Sequence, residues 1–225
     1  MTHQKIAPFI ETWTQDLKLM GIELGTRMTV VDLDGQGTLF VHSPIKLTQE
    51  IRQQLDAMGK VSYVVAPNKW HHLFINDFRT AYPQAQFFCA PGLEKKRSDF
   101  TFDGIITESS SMPWNPSIEH LLVQGAPMFN EVAFFHADSR TLILTDTALH
   151  ICEGTSWKTK LFFMAIGSFG KFGLSRFEKL LLVKDRKKFQ SSMKQISHWD
   201  FDRIIVAHGH ILSTNGKNAF ITAYL

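Results

Sequence analysis

The apolar positions of this chain come in two kinds, short unbroken runs and positions that recur every three or four residues. "MTVVDLD" (28–34) and "GTLFVHS" (37–43) are unbroken runs joined by the turn "DGQG", which predicts a hairpin of two strands. The period then changes in "SPIKLTQEIRQQLDAMG" (43–59). Thr48 can cap a helix there, Ile51, Leu55 and Met58 share one face, and Gly59 ends it. "KVSYVVAP" (60–67) predicts a buried strand, "HHLFINDFRTAYP" (71–83) a helix ended by Pro83, and "AQFFCAP" (85–91) a further short strand. Residues 118–146 predict three strands, with turns at Gly125-Ala126-Pro127 and at Ala137-Asp138-Ser139. Residues 175–198 look helical, and "FDRIIVAHGH" (201–210) is a last strand running into a loop. No repeat or low-complexity linker interrupts the chain, so a single domain over residues 1–225 of the mixed α/β class is expected.

Composition changes this picture little. With 44% hydrophobic and 20% charged residues the chain has an ordinary globular make-up, and nineteen phenylalanines imply a bulky interior. Its longest apolar runs, "LFFMAIGSF" (161–169) and "LLLV" (180–183), are too short to span a bilayer, so no transmembrane segment is expected. The first residues lack the continuous apolar stretch of a signal peptide, which predicts a cytoplasmic protein. Cys89 and Cys152 share no motif spacing and are read as reduced, structural thiols.

Charge adds an asymmetry. Residues 155–195 carry ten Lys/Arg against Glu178 and Asp185, a net +8, although the whole chain is only +3. Two readings stay open: the solvated faces of surface helices, or a basic rim that attracts an anionic partner. Basic and aromatic residues do not interleave as in nucleic-acid modules, so no specific nucleic-acid partner is expected. Docking of "LFFMAIGSFGKFGL" on a membrane or partner competes with core packing of Phe162, Phe163 and Phe169.

Candidate chemistry gathers where strands end. Imidazole and carboxylate are the usual ligands for zinc, iron or manganese, and several must converge on one ion. His71 and His72 follow a Pro-Asn turn, and adjacent residues can face one ion only in a loop or at a helix start. "TLILTD" runs an apolar strand into Asp146, and "IIVAHG" repeats the pattern with His208, where Gly209 permits a sharp turn. Each alone reads equally as a capped strand end; three of a kind on strands that can be neighbours suggest a site. Asn68 can tie the first loop, and Glu131 is either a nearby carboxylate for the site or a surface charge. His210 is a candidate for the surroundings of the ligands, and His136 is placed in a turn. His42, like His3, His120, His150 and His198, has no partner in sequence and is read as an ordinary histidine.

The order of a strand ending in a His-rich loop, a later strand ending in "TD" and a last strand ending in "HG" resembles the metallo-β-lactamase fold superfamily. The likeness runs from about Met28 to His210. It is closest to a branch described as a domain of unknown function, carrying "SP…LT", "APN…HHLF", "PGL…K" and "FDRIIVAHG" in this order. Here these are Ser43-Pro44 with Leu47-Thr48, Ala66 to Phe74, Pro91 to Lys95, and Phe201 to Gly209. The resemblance implies an αββα sandwich of two mixed sheets flanked by helices. It also implies a two-metal signature, H-x-H-x-D-H, with a middle-loop His, a strand-end Asp and a final His. Aligned on His72, that signature puts Pro67 and Lys69 where its first two histidines belong, and His71 at its Asp. The middle-loop His falls near Pro127. Everything expected for the first metal is thus missing together, while His71, His72, Asp146 and His208 remain for the second.

The resemblance therefore implies one zinc or iron ion, zinc before iron, on three histidines and Asp146. Lys69 would bring an ammonium towards the vacated position. The implied chemistry is hydrolysis of a small ester, thioester, amide or phosphoester, with Asp146 orienting or deprotonating water and the basic segment holding an anionic part of the substrate. The main alternative is a degenerate metal- or ligand-binding domain on the same fold. Iron-based redox chemistry would want a flavin or thiol co-substrate, and the chain has no Gly-rich cofactor motif.

Overall fold

Strands buried on both faces account for the unbroken apolar runs. The computed structural model describes residues 1–108 and 111–225. The chain begins with β1 (Thr2–Ala7), β2 (Ile10–Gln15), the small hairpin β3 (Lys18–Leu19) and β4 (Ile22–Glu23), then β5 (Thr26–Asp32) and β6 (Thr38–His42). Helix α1 (Gln49–Met58), β7 (Lys60–Ala66), α2 (Ile75–Ala81), β8 (Gln86–Cys89), α3 (Leu93–Lys96) and β9 (Gly104–Ile105) complete the first half. The second half runs β10 (Ile118–Leu122), β11 (Val132–His136), β12 (Thr141–Leu144), α4 (Trp157–Ala165), α5 (Arg176–Leu182), α6 (Arg186–Ile196), β13 (Arg203–Val206) and α7 (Gly216–Tyr224).

One sheet has the order β1-β2-β5-β6-β7-β8-β9, antiparallel as far as β6 and parallel beyond it. The other has the order β10-β11-β12-β13, with only β12 and β13 parallel. Alternation of side chains along each strand sorts neighbours into different layers. Val31, Phe40, Val65 and Phe88 meet Phe134, Ile143 and Ile205 between the sheets. Their neighbours Val30, Val41, Val64 and Phe87 pack on Ile51, Leu55 and Phe78 of α1 and α2. On the far side, Phe135, Leu142, Leu144, Ile204 and Val206 pack on Phe189, Met193 and Phe220 of α6 and α7. The result is the expected helix–sheet–sheet–helix sandwich.

The cap and stop signals read for α1 hold. The Thr48 side chain accepts from the Ile51 amide at 3.3 Å, a cap worth about 1 kcal/mol. Gly59 ends α1 with φ 155°, and a Cβ there would lie 2.1 Å from the Gly37 carbonyl, so only glycine lets the β5–β6 turn meet the helix end. Three expectations are corrected. The helix after β7 starts at Ile75, leaving residues 70–74 in a turn. The 175–198 helix is two helices, because Asp185 caps α6 and the Lys184 and Asp185 amides both donate to the Gly125 carbonyl. Four strands, β1 to β4, precede the first predicted hairpin. Both cysteines are free. Among the described residues no helix is long and apolar enough to cross a membrane.

Candidate metal centre

Parallel strands β6 and β7 in one sheet, and β12 and β13 in the other, deliver their C-terminal ends to one loop cluster. There His71, Asp146 and His208 come together, the group of three such side chains among the described residues whose ligand atoms lie within 4.8 Å of one another. His71 Nε2 lies 3.2 Å from His208 Nε2 and 3.2 Å from Asp146 Oδ2, and His208 Nε2 lies 3.3 Å from Asp146 Oδ1. A tetrahedral ion with bonds of about 2.0–2.1 Å needs ligand atoms about 3.3 Å apart, so the donor set fits zinc or a similar ion. The carboxylate turns one oxygen towards each imidazole.

The backs of these groups are held as firmly as their fronts. His208 Nδ1 donates to the Gly25 carbonyl at 2.7 Å, which leaves the Nε2 lone pair facing inward. His71 Nδ1 lies 2.7 Å from Ser43 Oγ, and Ser43 sits at φ 56° to bring the hydroxyl there. Asn68 is fully buried: its Oδ1 accepts from the Trp70 and His71 amides at 2.8 Å, while its Nδ2 donates to Asp146 Oδ2 at 2.5 Å and Thr145 Oγ1 at 2.9 Å. One amide side chain thus fixes both the turn that carries His71 and the carboxylate it faces. Gly209, at φ 88°, follows His208 where a Cβ would lie 2.1 Å from the His150 carbonyl.

Glu131 is neither a surface charge nor part of the triad. Fully buried, its carboxylate accepts from the Thr145, Asp146 and Thr147 amides at 2.8, 2.6 and 2.8 Å, clamping the loop that presents Asp146. Burial, and then the Asp146 charge, push its carboxyl above the ordinary range. Burial would also raise Asp146, but His71 and His208 outweigh it and hold that carboxyl well below the usual range. Conversely, burial would lower His208, and Asp146 together with the Gly25 carbonyl raises it instead.

His72 is not brought to the cluster, contrary to expectation. Successive side chains of the 70–74 turn diverge, and Arg97 Nη1 donates to His72 Nδ1 at 3.1 Å. Burial and then the charges of Lys96 and Arg97 push His72 down to about 4, so it serves as a neutral acceptor. Lys69 does not reach the triad either: its Nζ donates to the Pro127 carbonyl at 2.8 Å. Two of the three positions where the resemblance expects first-metal ligands, Lys69 and Pro127, are thus tied to each other. His210 contacts the Glu153 carbonyl at 3.1 Å and stays outside, and buried His136 pairs with Ser139 Oγ at 2.8 Å.

Three supporting groups escaped the sequence reading. Arg27, in β5, is buried and donates from both terminal nitrogens to the Val206 and Gly209 carbonyls on either side of His208. Burial lowers its guanidinium to about 10. Among the described residues, neither ring nitrogen of His42, at the end of β6, has a hydrogen-bond partner; burial and then the His71 charge push it down to about 3. Ser43 was noted only as part of a motif. A lone Arg or His inside an apolar strand was the available signal for the first two. A cavity of about 560 Å³ lies away from the triad, lined by Lys171, Arg176 and Lys179 with residues of α7.

With the geometry in hand, known proteins can be compared. Residues 9–161 match the family model described as Domain of unknown function (DUF4336). Comparison with curated proteins gives no match. Among solved structures, the metallo-beta-lactamase from Pontibacter korlensis superposes with a TM-score of 0.65 at 11% identity, over 98% of each chain. A putative diflavin flavoprotein A 5 fragment from Nostoc sp. PCC 7120 gives 0.69 at 13% identity, over 98% of this chain and 94% of that one. The Flv1 flavodiiron core from Synechocystis sp. PCC6803 gives 0.67 at 10% identity, over 98% of this chain and 60% of that one. At such identities the likeness is one of fold.

Proposed function

The chain belongs to the family described as Domain of unknown function (DUF4336) and has the metallo-β-lactamase fold, and on that premise we propose that it is a single-metal hydrolase. The carrying observation is the triad itself: two Nε2 atoms 3.2 Å apart, each 3.2–3.3 Å from one oxygen of the Asp146 carboxylate, with both Nε2 atoms inward and both Nδ1 atoms engaged behind. His71, Asp146 and His208 would hold one zinc or iron ion, and zinc suits two imidazoles and a carboxylate with a position left over. When bound, such an ion polarises a carbonyl or phosphoryl group and acidifies water at neutral pH. Asn68 and Glu131 keep Asp146 in place, Ser43 and the Gly25 carbonyl orient the imidazoles, and Arg27 fixes the loop bearing His208. His72 moves in this proposal from ligand to a buried partner of Arg97.

The proposal takes residues 1–225 as one domain acting in the cytoplasm on a small ester, thioester, amide or phosphoester. Lysines and arginines of residues 155–195 would favour an anionic substrate. A second reading, a metal-binding domain without turnover, is favoured by one observation: Pro67, Lys69 and Pro127 occupy the first-metal side, which is closed by the bond from Lys69 to the Pro127 carbonyl. The flavodiiron and diflavin neighbours are the reason to include iron in the test. Zinc- and iron-loaded protein is assayed against chromogenic carboxyl, thio- and phosphoesters, beside the His208→Ala variant. Turnover lost on chelation and in the variant supports the hydrolase. Metal retention without turnover across the panel favours the binding domain.

A further inference from the structure

Helix α4 is apolar on the side that no other described residue covers. Of its nine residues only Thr159 and Phe163 are buried. Trp157, Leu161 and Met164 are 71%, 60% and 56% exposed, and Phe162 is exposed beside them. At 100° per residue the first three fall within about 60° of one another, Lys158 and Lys160 flank them on either side, and the buried pair lies opposite. The next helix repeats the design. Phe177, Leu180 and Leu181 of α5 are all exposed with Arg176 at the edge of their face, and α5 has no buried residue. Its one acid, Glu178, is turned into the cap, accepting from the Ser175 amide at 2.7 Å and Ser168 Oγ at 3.4 Å. The tip of the β3–β4 hairpin adds Leu19 and Met20, the latter 96% exposed, and the hairpin is fastened to α4 by the Glu23 amide donating to Thr159 Oγ1 at 2.9 Å.

From this arrangement we infer that the outer faces of α4 and α5, with the β3–β4 tip, dock on an anionic lipid surface. Exposed aromatic and aliphatic side chains bordered by lysine and arginine form the pattern of a helix that lies in a membrane interface, its apolar face among the acyl chains and its cations at the headgroups. Charge chooses the partner. The residues that border the two apolar faces, Lys158, Lys160 and Arg176, are cationic, and the adjoining cavity is lined by Lys171, Arg176 and Lys179 with no acidic residue. A second copy of the chain would bring like charges together across a two-fold contact, whereas phosphatidylglycerol or another acidic lipid complements them. The surface belongs to elements that also support the triad, since the segment leading from β4 into β5 supplies the Gly25 carbonyl held by His208.

The test is flotation of the purified full chain with vesicles of phosphatidylcholine alone and of phosphatidylcholine with phosphatidylglycerol, at low and high salt. The chain floats with the acidic vesicles, and salt weakens the association. Leu161→Glu abolishes flotation; the double variant Lys158→Glu, Lys160→Glu reduces it by roughly ten-fold or more. Both changes are at exposed positions, so an unchanged thermal midpoint accompanies them. Three results would overturn the inference: no flotation with acidic vesicles, flotation indifferent to both variants, or a concentration-dependent dimer in sedimentation that Leu161→Glu dissolves.

Discussion

Two adjoining parts of one loop cluster are built on different terms. On one, His71, Asp146 and His208 are each gripped from behind by a specific polar group, and Glu131 collects three amides to hold the loop of Asp146. On the other, where the resemblance would place the ligands of a first metal, stand Pro67, Lys69 and Pro127. The Pro67 carbonyl accepts from the Val132 amide at 2.8 Å, the Lys69 amide donates to the Phe129 carbonyl at 2.8 Å, and the lysine side chain closes on Pro127. The second part is not an emptied site but a seam between the β7 loop and the β10–β11 loop. A polar constellation keeps its geometry only while its outer partners are kept, and on the seam main-chain bonds do the stitching.

The comparison can be strained hardest at Glu131. Glu131→Ala leaves three buried amides without an acceptor, at about 1–3 kcal/mol each, so unfolding stability should fall by about 3 kcal/mol or more. A shift in the urea midpoint of metal-free protein measures it, and a loss below about 1 kcal/mol would mean the clamp is dispensable. Next comes Asn68→Ala, which frees Asp146 on the side of the turn. Zinc affinity in chelator competition should weaken about 10- to 100-fold, the usual cost of losing such a partner.

Acid gives the third separation. His42 stays neutral in the fold down to about pH 3, whereas its ordinary value is 6.5. Between these values the unfolded chain binds the extra proton, so stability contributed above pH 6.5 is lost as pH falls, by up to about 1.4 kcal/mol per pH unit. In metal-free protein His42→Phe should flatten that acid limb. An unchanged slope would show that His42 finds a partner in solution. Smallest of all is Lys69→Ala on the seam. It removes one exposed hydrogen bond and should change neither metal content nor stability by more than about 1 kcal/mol. If metal is lost with it, the two parts of the cluster are not separate.

How much of this was legible follows from which faces water touches. Strands β5 to β8 and β11 to β13 are covered on both sides, so they appear as unbroken apolar words, and the residues that end them stand out. That is why Asp146 and His208 could be picked from sequence. β1 escaped notice because it is an edge strand with polar residues on both faces, "THQKI", and its first four residues are exposed. Helix α4 gave no amphipathic signal because its uncovered face is as apolar as its buried one. The choice between His71 and His72 rested on the direction of side chains in a turn, and Arg97, which draws His72 aside, comes from 25 residues further along the chain. Likewise the roles of Glu131 and Arg27 depend on amides and carbonyls, which every residue has and no sequence pattern marks.

The most direct test of the central proposal is elemental analysis of the purified chain and of its Asp146→Ala and His72→Ala variants. The account predicts about one zinc or iron ion per chain, lost with Asp146→Ala and retained with His72→Ala. Two ions per chain, no ion, or loss of the ion with His72→Ala would contradict it.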